Sequence, residues 1–219
     1  MNARDAILGR IRNARSDKGQ SLQAAAPADA IASHLARHPR GPAPAMPDDL
    51  PARFRERALK LSSDVLETAD RKEVPALLAR YLNERKLPPG GVCWPSLIGL
   101  PWSGAGLDMQ SRPARDSDLV GVTGAFCAIA ETGTLMLLSG AETPATTSLL
   151  PETHVAVIDP RRIVATMEDA WDLLRRECKQ PPRAVNFVSG PSRTADIEQT
   201  VTLGAHGPYR VLLILAPAQ

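Results

Sequence analysis

Aromatic residues are scarce in this chain, at 4% of its 219 positions. Leucine, valine, isoleucine and alanine must therefore fill the core. Cysteine is scarcer still: Cys93, Cys127 and Cys178 stand far apart, and no C-x-x-C occurs. Iron–sulfur and zinc sites draw on thiolates clustered in sequence or joined by histidine. The chain is thus expected to carry no iron–sulfur cluster and no zinc of its own. An odd, scattered set of thiols points to a reducing, cytoplasmic setting. Charge of one sign is lacking as well, with 26 basic against 24 acidic residues. A nucleic-acid partner calls for a basic stripe, so none is expected. No apolar run approaches the length of a membrane span. The start is charged from Arg4 onward and lacks the apolar core of a signal peptide. Several chemical signatures are also missing. Gly104-Ala105-Gly106 has no later glycine of a dinucleotide fingerprint, and no Walker lysine follows a glycine-rich loop. There is no H-E-x-x-H and no G-x-S-x-G.

What is present reads as one α/β domain with an appendage. Residues 3–15 form an amphipathic pattern, with Ile7, Leu8 and Ile11 on one face. Residues 16–50 are rich in alanine and proline, and His38 to Pro44 holds three prolines that forbid a continuous helix. This stretch is expected to be a linker or loose loop, interrupted by a brief helix near Ala30–Arg37. The boundary is placed near Leu50, giving 1–50 as appendage and 51–219 as the domain. Beyond it strand and helix signals alternate. Helical spacing marks 52–62, the run from Val74 to Leu82, and the stripe Met167, Ala170, Trp171, Leu174, Cys178. Strands are expected at Asp64–Thr68, Val92–Trp94 and Val155–Ile158. Residues 119–139 read as two strands around a turn at Glu131-Thr132-Gly133. Ala184–Val188 and Val211–Leu215 are apolar almost throughout, as central strands of a parallel sheet are. The fold class is therefore α/β, an open, mostly parallel sheet flanked by helices.

Three segments carry candidate chemistry. In Ala130-Glu131-Thr132-Gly133-Thr134, the Glu131 carboxylate sits between two apolar strands, where it can act as base, nucleophile or ligand anchor. The alternative is a plain hairpin turn, with Gly133 supplying a positive φ. The second segment, Ser189 to Asp196, follows an apolar strand. Gly190 and Pro191 lead it, Ser192 and Thr194 add hydroxyls, and Arg193 adds a planar fork for a carboxylate or phosphate. If the strand is central and a helix follows, this loop lies at the ligand-binding edge of the sheet. Otherwise Arg193 is a local partner of Asp196. The third, Gly204-Ala205-His206-Gly207-Pro208, holds a histidine whose direction is fixed by its neighbours. His206 is a candidate acid or base, against a structural role in the loop. His154 opens a strand and is expected to be structural.

These segments together resemble the lactate-utilization protein C family, also called the LUD domain. The resemblance rests on Ile-Leu-Gly-Arg-Ile-Arg at 7–12, Gly121-Val122-Thr123, Ala130–Thr134, Leu150-Pro151, Gly190–Glu198 and Gly204–Pro208. It implies a fold related to the sugar-phosphate isomerase and coenzyme A transferase group. It also implies a part in oxidising L-lactate to pyruvate beside iron–sulfur partner proteins. Members of the related fold use a loop-borne carboxylate, and Glu131 is the matching position by analogy alone. The ligand implied is a small organic acid or anionic cofactor, with Thr132, Gly133, Thr134, Gly190, Pro191, Ser192, Arg193, Thr194, Asp196 and Gly207 as its candidate contacts. Two other functions remain open: an enzyme acting alone on a phosphorylated or coenzyme A-linked acid, and a metabolite-sensing regulatory protein.

Overall fold

A computed structural model describes residues 3–16, 28–194 and 202–218. The chain divides into two compact units that meet between Ala43 and Pro44. The first holds α1 (Ala3–Ser16) and α2 (Ala28–Ala36), the two helices expected there. Residues 17–27 of the expected linker lie outside the described residues.

The second unit is built on a six-stranded sheet, every strand of which runs parallel to its neighbours. Its strands are β1 (Asp64–Glu67), β2 (Gly90–Cys93), β3 (Asp108–Gln110), β4 (Val120–Thr123), β7 (Thr153–Ile158) and β12 (Arg210–Leu215). Their order across the sheet is β1-β12-β7-β4-β2-β3. Alternation along β12 shows how two cores arise from one strand. Leu212 and Ile214 face a cluster with Val74, Leu78 and Leu82 of α4 (Val74–Glu84). Val211, Leu213 and Leu215 face the opposite cluster, with Phe54 and Ala58 of α3 (Leu50–Lys60). Pro51 and Pro75 each fall in the first turn of their helix, where a missing N–H costs nothing.

A second sheet, order β8-β5-β6-β9, covers that second face. It comprises β5 (Cys127–Ile129), β6 (Thr134–Leu138), β8 (Ile163–Val164) and β9 (Val185–Val188). Its far side packs on α6 (Met167–Glu177), where Ala170 and Leu174 meet Cys127, Ile129 and Met136. Thr166 and Asp169 close the start of α6 with a reciprocal capping box. The short α5 (Thr146–Leu149) lies against β4 and β7. A two-stranded ribbon, β10 (Arg193–Thr194) with β11 (Thr202–Leu203), completes the described strands.

Two expectations change. Residues 119–139 form three strands rather than two: β4 joins the parallel sheet, and the chain leaves at Gly124 to build the β5–β6 hairpin. The strand expected at Ala184–Val188 is not central. It is β9, an edge strand antiparallel to β6 in the second sheet. Asn186 breaks the apolar run, and the strand is only partly covered, with Phe187 exposed. Among the described residues no helix is long and apolar enough to cross a membrane.

Candidate functional site

In an open parallel sheet, a crevice opens at the carboxyl ends of the strands where successive connections leave on opposite faces. Here that point falls between β2 and β4. The chain leaves β2 outward to β3, its connection packing Leu97 and Trp102 on the α4 side. It leaves β4 in the other direction, through β5, β6 and α5, on the opposite side. A cavity of about 430 Å³ lies at this edge. Trp94 and Ser96 reach it from the end of β2, and Gly124, Ala125 and Phe126 from the end of β4. Val157 and Asp159 come from β7, and Arg71 from the turn after β1.

The charges of the cavity are unequally satisfied. Asp159 receives Arg161 Nη2 at 2.7 Å and Nε at 3.1 Å, which holds its carboxyl down to about 2. Arg162 donates to both oxygens of Glu177, at 2.6 and 2.9 Å, and to the Phe126 carbonyl at 2.9 Å. That ion pair raises the Arg162 pKa and lowers that of Glu177. Arg71 differs. Its guanidinium makes no hydrogen bond or close ion pair among the described residues. Burial pushes its pKa down, opposed by the field of Asp159. A half-buried guanidinium with no hydrogen-bond partner at a cavity wall has the chemistry to receive an anion: five donors in a planar fork, partly stripped of water.

The residues singled out from the sequence gather elsewhere. The turn 130–133 stands at the tip of the β5–β6 hairpin, while Leu138, at the other end of β6, lines the cavity. Four residue steps of strand place that tip roughly 14 Å from Leu138. There Gly133 (φ +72°) lies against α3, where a Cβ would meet Ala58 N at 2.6 Å. Thr132 Oγ1 donates to Thr134 Oγ1 at 2.8 Å, and Thr134 Oγ1 and Ser189 Oγ share a bond of 2.6 Å. The segment is thus a hairpin turn, with Gly133 supplying the positive φ. Glu131 itself is half-buried, and its carboxylate has no hydrogen-bond or ion-pair partner among the described residues.

The Gly190 loop lies at the same end. Because β9 runs antiparallel to β6, its carboxyl end points to the hairpin tip and away from the crevice. This corrects the placement of the loop at the carboxyl edge of a central strand. Gly190 (φ +79°) packs on α3's exit, where a Cβ would meet the Leu61 carbonyl oxygen at 2.3 Å. Protein backbone, rather than a ligand, fills its open side. Pro191 is buried, and Ser192 N donates to the Pro208 carbonyl at 2.8 Å. Arg193 donates to Ser62 Oγ at 2.6 Å and to the Leu61 carbonyl at 3.3 Å, and with Thr194 it enters a strand rather than a helix. Asp196 lies outside the described residues. Gly207 packs against Ser192, and His206 beside it is exposed. His154 is fully buried, with Nε2 and Thr123 Oγ1 2.8 Å apart, as its structural assignment required.

Sequence reasoning thus missed Arg71, Trp94, Ser96, Asp159 and Arg162. No local motif surrounds them. The signal that could have found them is topological: each follows the carboxyl end of a strand, as Arg71 does β1 and Asp159 does β7. Among the described residues no group of three or more His, Cys, Asp and Glu is placed to hold a metal ion.

Fold and cavity together define an α/β protein with a ligand-sized cavity at the switch point of a parallel sheet. Residues 111–216 match the LUD domain. A lactate utilization protein C from Exiguobacterium is 31% identical over 179 residues, 77% of this chain and 78% of that protein. The chain belongs to this LUD-domain, lactate utilization protein C family. Lactate utilization protein C from Bacillus subtilis is 34% identical over 128 residues, 56% of this chain and 52% of its own length. An uncharacterized protein from Neisseria meningitidis is 45% identical over 96 residues, 44% of this chain and 41% of its own. The chain thus spans about half, or less, of the first curated relatives it matches. A crystal structure of a DUF162 family protein from Deinococcus radiodurans superposes with a TM-score of 0.61 at 24% identity, covering 79% of this chain and 99% of that one. That likeness bears on the fold alone.

Proposed function

We propose that this chain serves the use of L-lactate, as a subunit that holds a small organic acid or anionic cofactor on Arg71 while iron–sulfur partner proteins carry the electrons. Oxidation of lactate to pyruvate releases two electrons and two protons. In this reading the three cysteines, scattered along the chain with Cys93 and Cys127 buried, do not serve as cluster ligands. The acceptor belongs to other proteins in this reading. Support for lactate comes from the relatives that bear its name. The observation that carries the site is the unpaired Arg71 guanidinium in a cavity at the switch point of the sheet. Three free thiols suit a cytoplasmic setting.

A second reading keeps Glu131 and His206 as reacting groups, with Thr132, Thr134, Ser192 and Arg193 holding a phosphorylated or coenzyme A-linked acid. The unpartnered carboxylate of Glu131 favours it. Growth on L-lactate with each variant as sole copy separates the two. Arg71→Ala removes a charge-assisted contact and should weaken the site about 10- to 100-fold, slowing growth sharply. Glu131→Gln should then grow normally. The reverse pattern assigns the chemistry to the hairpin tip. Both variants should still copurify with iron–sulfur proteins from lactate-grown cells. Failure of the wild type to capture any would contradict the subunit role.

A further inference from the structure

A sheet edge is a row of unpaired backbone donors and acceptors, and proteins ordinarily guard it. Among the described residues the two sheets end in β1, β3, β8 and β9. The first three are guarded. β1 carries Asp64 and Glu67, and Glu67 pairs with Arg55 at 3.2 Å. β3 carries the exposed Asp108. β8 is only two residues long. β9 differs: Val-Asn-Phe-Val holds no charge and no proline, and its register with β6 runs without a bulge. Phe187 is exposed there, although its ring meets Trp171 edge-on at 5.7 Å.

The register with β6 fixes which groups of β9 are free. Ser139 N donates to the Ala184 carbonyl at 3.0 Å, so Ala184 turns its backbone toward β6. Backbone direction alternates along a strand of an antiparallel pair. Asn186 and Val188 therefore also face β6, and Val185 and Phe187 turn their N–H and C=O groups outward. Side chains alternate as well. Val185 belongs to the cluster under α6 and Phe187 meets Trp171 of α6, whereas Val188 packs on the opposite cluster. The half-buried Asn186 carboxamide has no hydrogen-bond partner among the described residues.

We infer that β9 is the contact between two copies of this chain, paired antiparallel about a twofold axis at Asn186. A second copy is the occupant because this edge complements itself. In that register Val185 stands opposite the partner's Phe187, and each such pair exchanges both N–H···O bonds from the groups that point outward. The same pairs set a β-branched side chain beside an aromatic one on the α6 face, a favourable cross-strand match. Asn186 meets the partner's Asn186, where each carboxamide can donate to the other. Charge agrees. Arg183, exposed and without an ion pair among the described residues, comes opposite the partner's Ser189. Ser189 bonds Thr134 at the end of the sheet where the Glu131 carboxylate is unpaired. The two β8-β5-β6-β9 sheets become one continuous sheet, and the twofold closes the β9 edge of both copies.

Sedimentation equilibrium of the purified chain over a range of concentrations tests this. The wild type should be a dimer. Asn186→Lys and Asn186→Asp each set like charges face to face at the axis, and each should weaken the dimer roughly fivefold or more. Mixed in equal amounts, the two variants should associate again as a heterodimer, which misfolded variants would not do. Amide exchange gives a readout that needs no variant. The Val185 and Phe187 N–H groups should be protected at high concentration and lose that protection on dilution, while those of Asn186 and Val188 stay protected by β6. The inference is overturned by a wild type that is monomeric throughout, or by a dimer whose Val185 and Phe187 amides exchange freely. Variants as dimeric as the wild type, or weakened variants that stay apart when mixed, overturn it too.

Discussion

Between pH 6.5 and pH 4 the protein is expected to lose about 3 kcal/mol of folding stability through one side chain, His154. The imidazole is fully buried on the second-sheet side of β7, and burial lowers its pKa from 6.5 to about 4. One ring nitrogen meets Thr123 Oγ1, while Nδ1 has no partner. A proton on Nδ1 would thus sit uncompensated in the core. The unfolded chain takes up this proton near pH 6.5, and the folded chain only near pH 4. Above 6.5 both states are neutral, and the contribution of the neutral histidine is complete. As the pH falls from there toward 4, the unfolded state alone gains the proton and stability declines. Below 4 both states carry it and the decline from His154 ends. Urea unfolding at pH 7, 5.5 and 4.5 should show this slope, and His154→Gln should flatten it. An equal slope in the variant would place the acid sensitivity elsewhere.

The second large effect concerns Gly133. Alanine there should cost about 3 kcal/mol, from two sources. A left-handed backbone costs an L-residue about 1–2 kcal/mol, and the added Cβ would press on Ala58 N at 2.6 Å and the Arg57 carbonyl carbon at 2.8 Å. Overpacking against backbone adds about 1–3 kcal/mol. The loss should appear in the absence of any ligand, because α3 creates it. Gly99→Ala, with nothing within 4 Å of the added atom, is the control and should be close to neutral. Wild-type stability in Gly133→Ala would free this glycine from its packing role and return it to the list of ligand contacts.

Periodicity and turn chemistry made most of the elements legible. The two helices α3 and α4, with their first-turn prolines, and the strands β1, β2, β7 and β12 stand close to where the apolar pattern puts them. The hairpin tip at Glu131-Thr132-Gly133 was legible for the same reason, since glycine in a short polar break between apolar runs demands a turn. The site was not. Its residues come one to three at a time from five segments between Arg71 and Arg162, and only the order of strands brings them to one edge. The apolar run 184–188 shows the cause most plainly. Phe187 and its neighbours are only partly covered, on an edge strand that runs antiparallel to β6. Its composition alone suits a central parallel strand equally well, so the loop that follows was assigned to the wrong edge. Arg193 there proves to secure the exit of α3 through Ser62 and Leu61.

The location of the ligand can be read directly. A crystal of the protein soaked in a bromine-bearing aryl carboxylic acid, such as 4-bromomandelate, would mark the bound molecule by its anomalous signal. A peak is expected inside the carboxyl-edge cavity, with the carboxylate in hydrogen-bonding reach of Arg71. A peak at the hairpin tip, near Glu131 and Arg193, with the cavity empty, would contradict it.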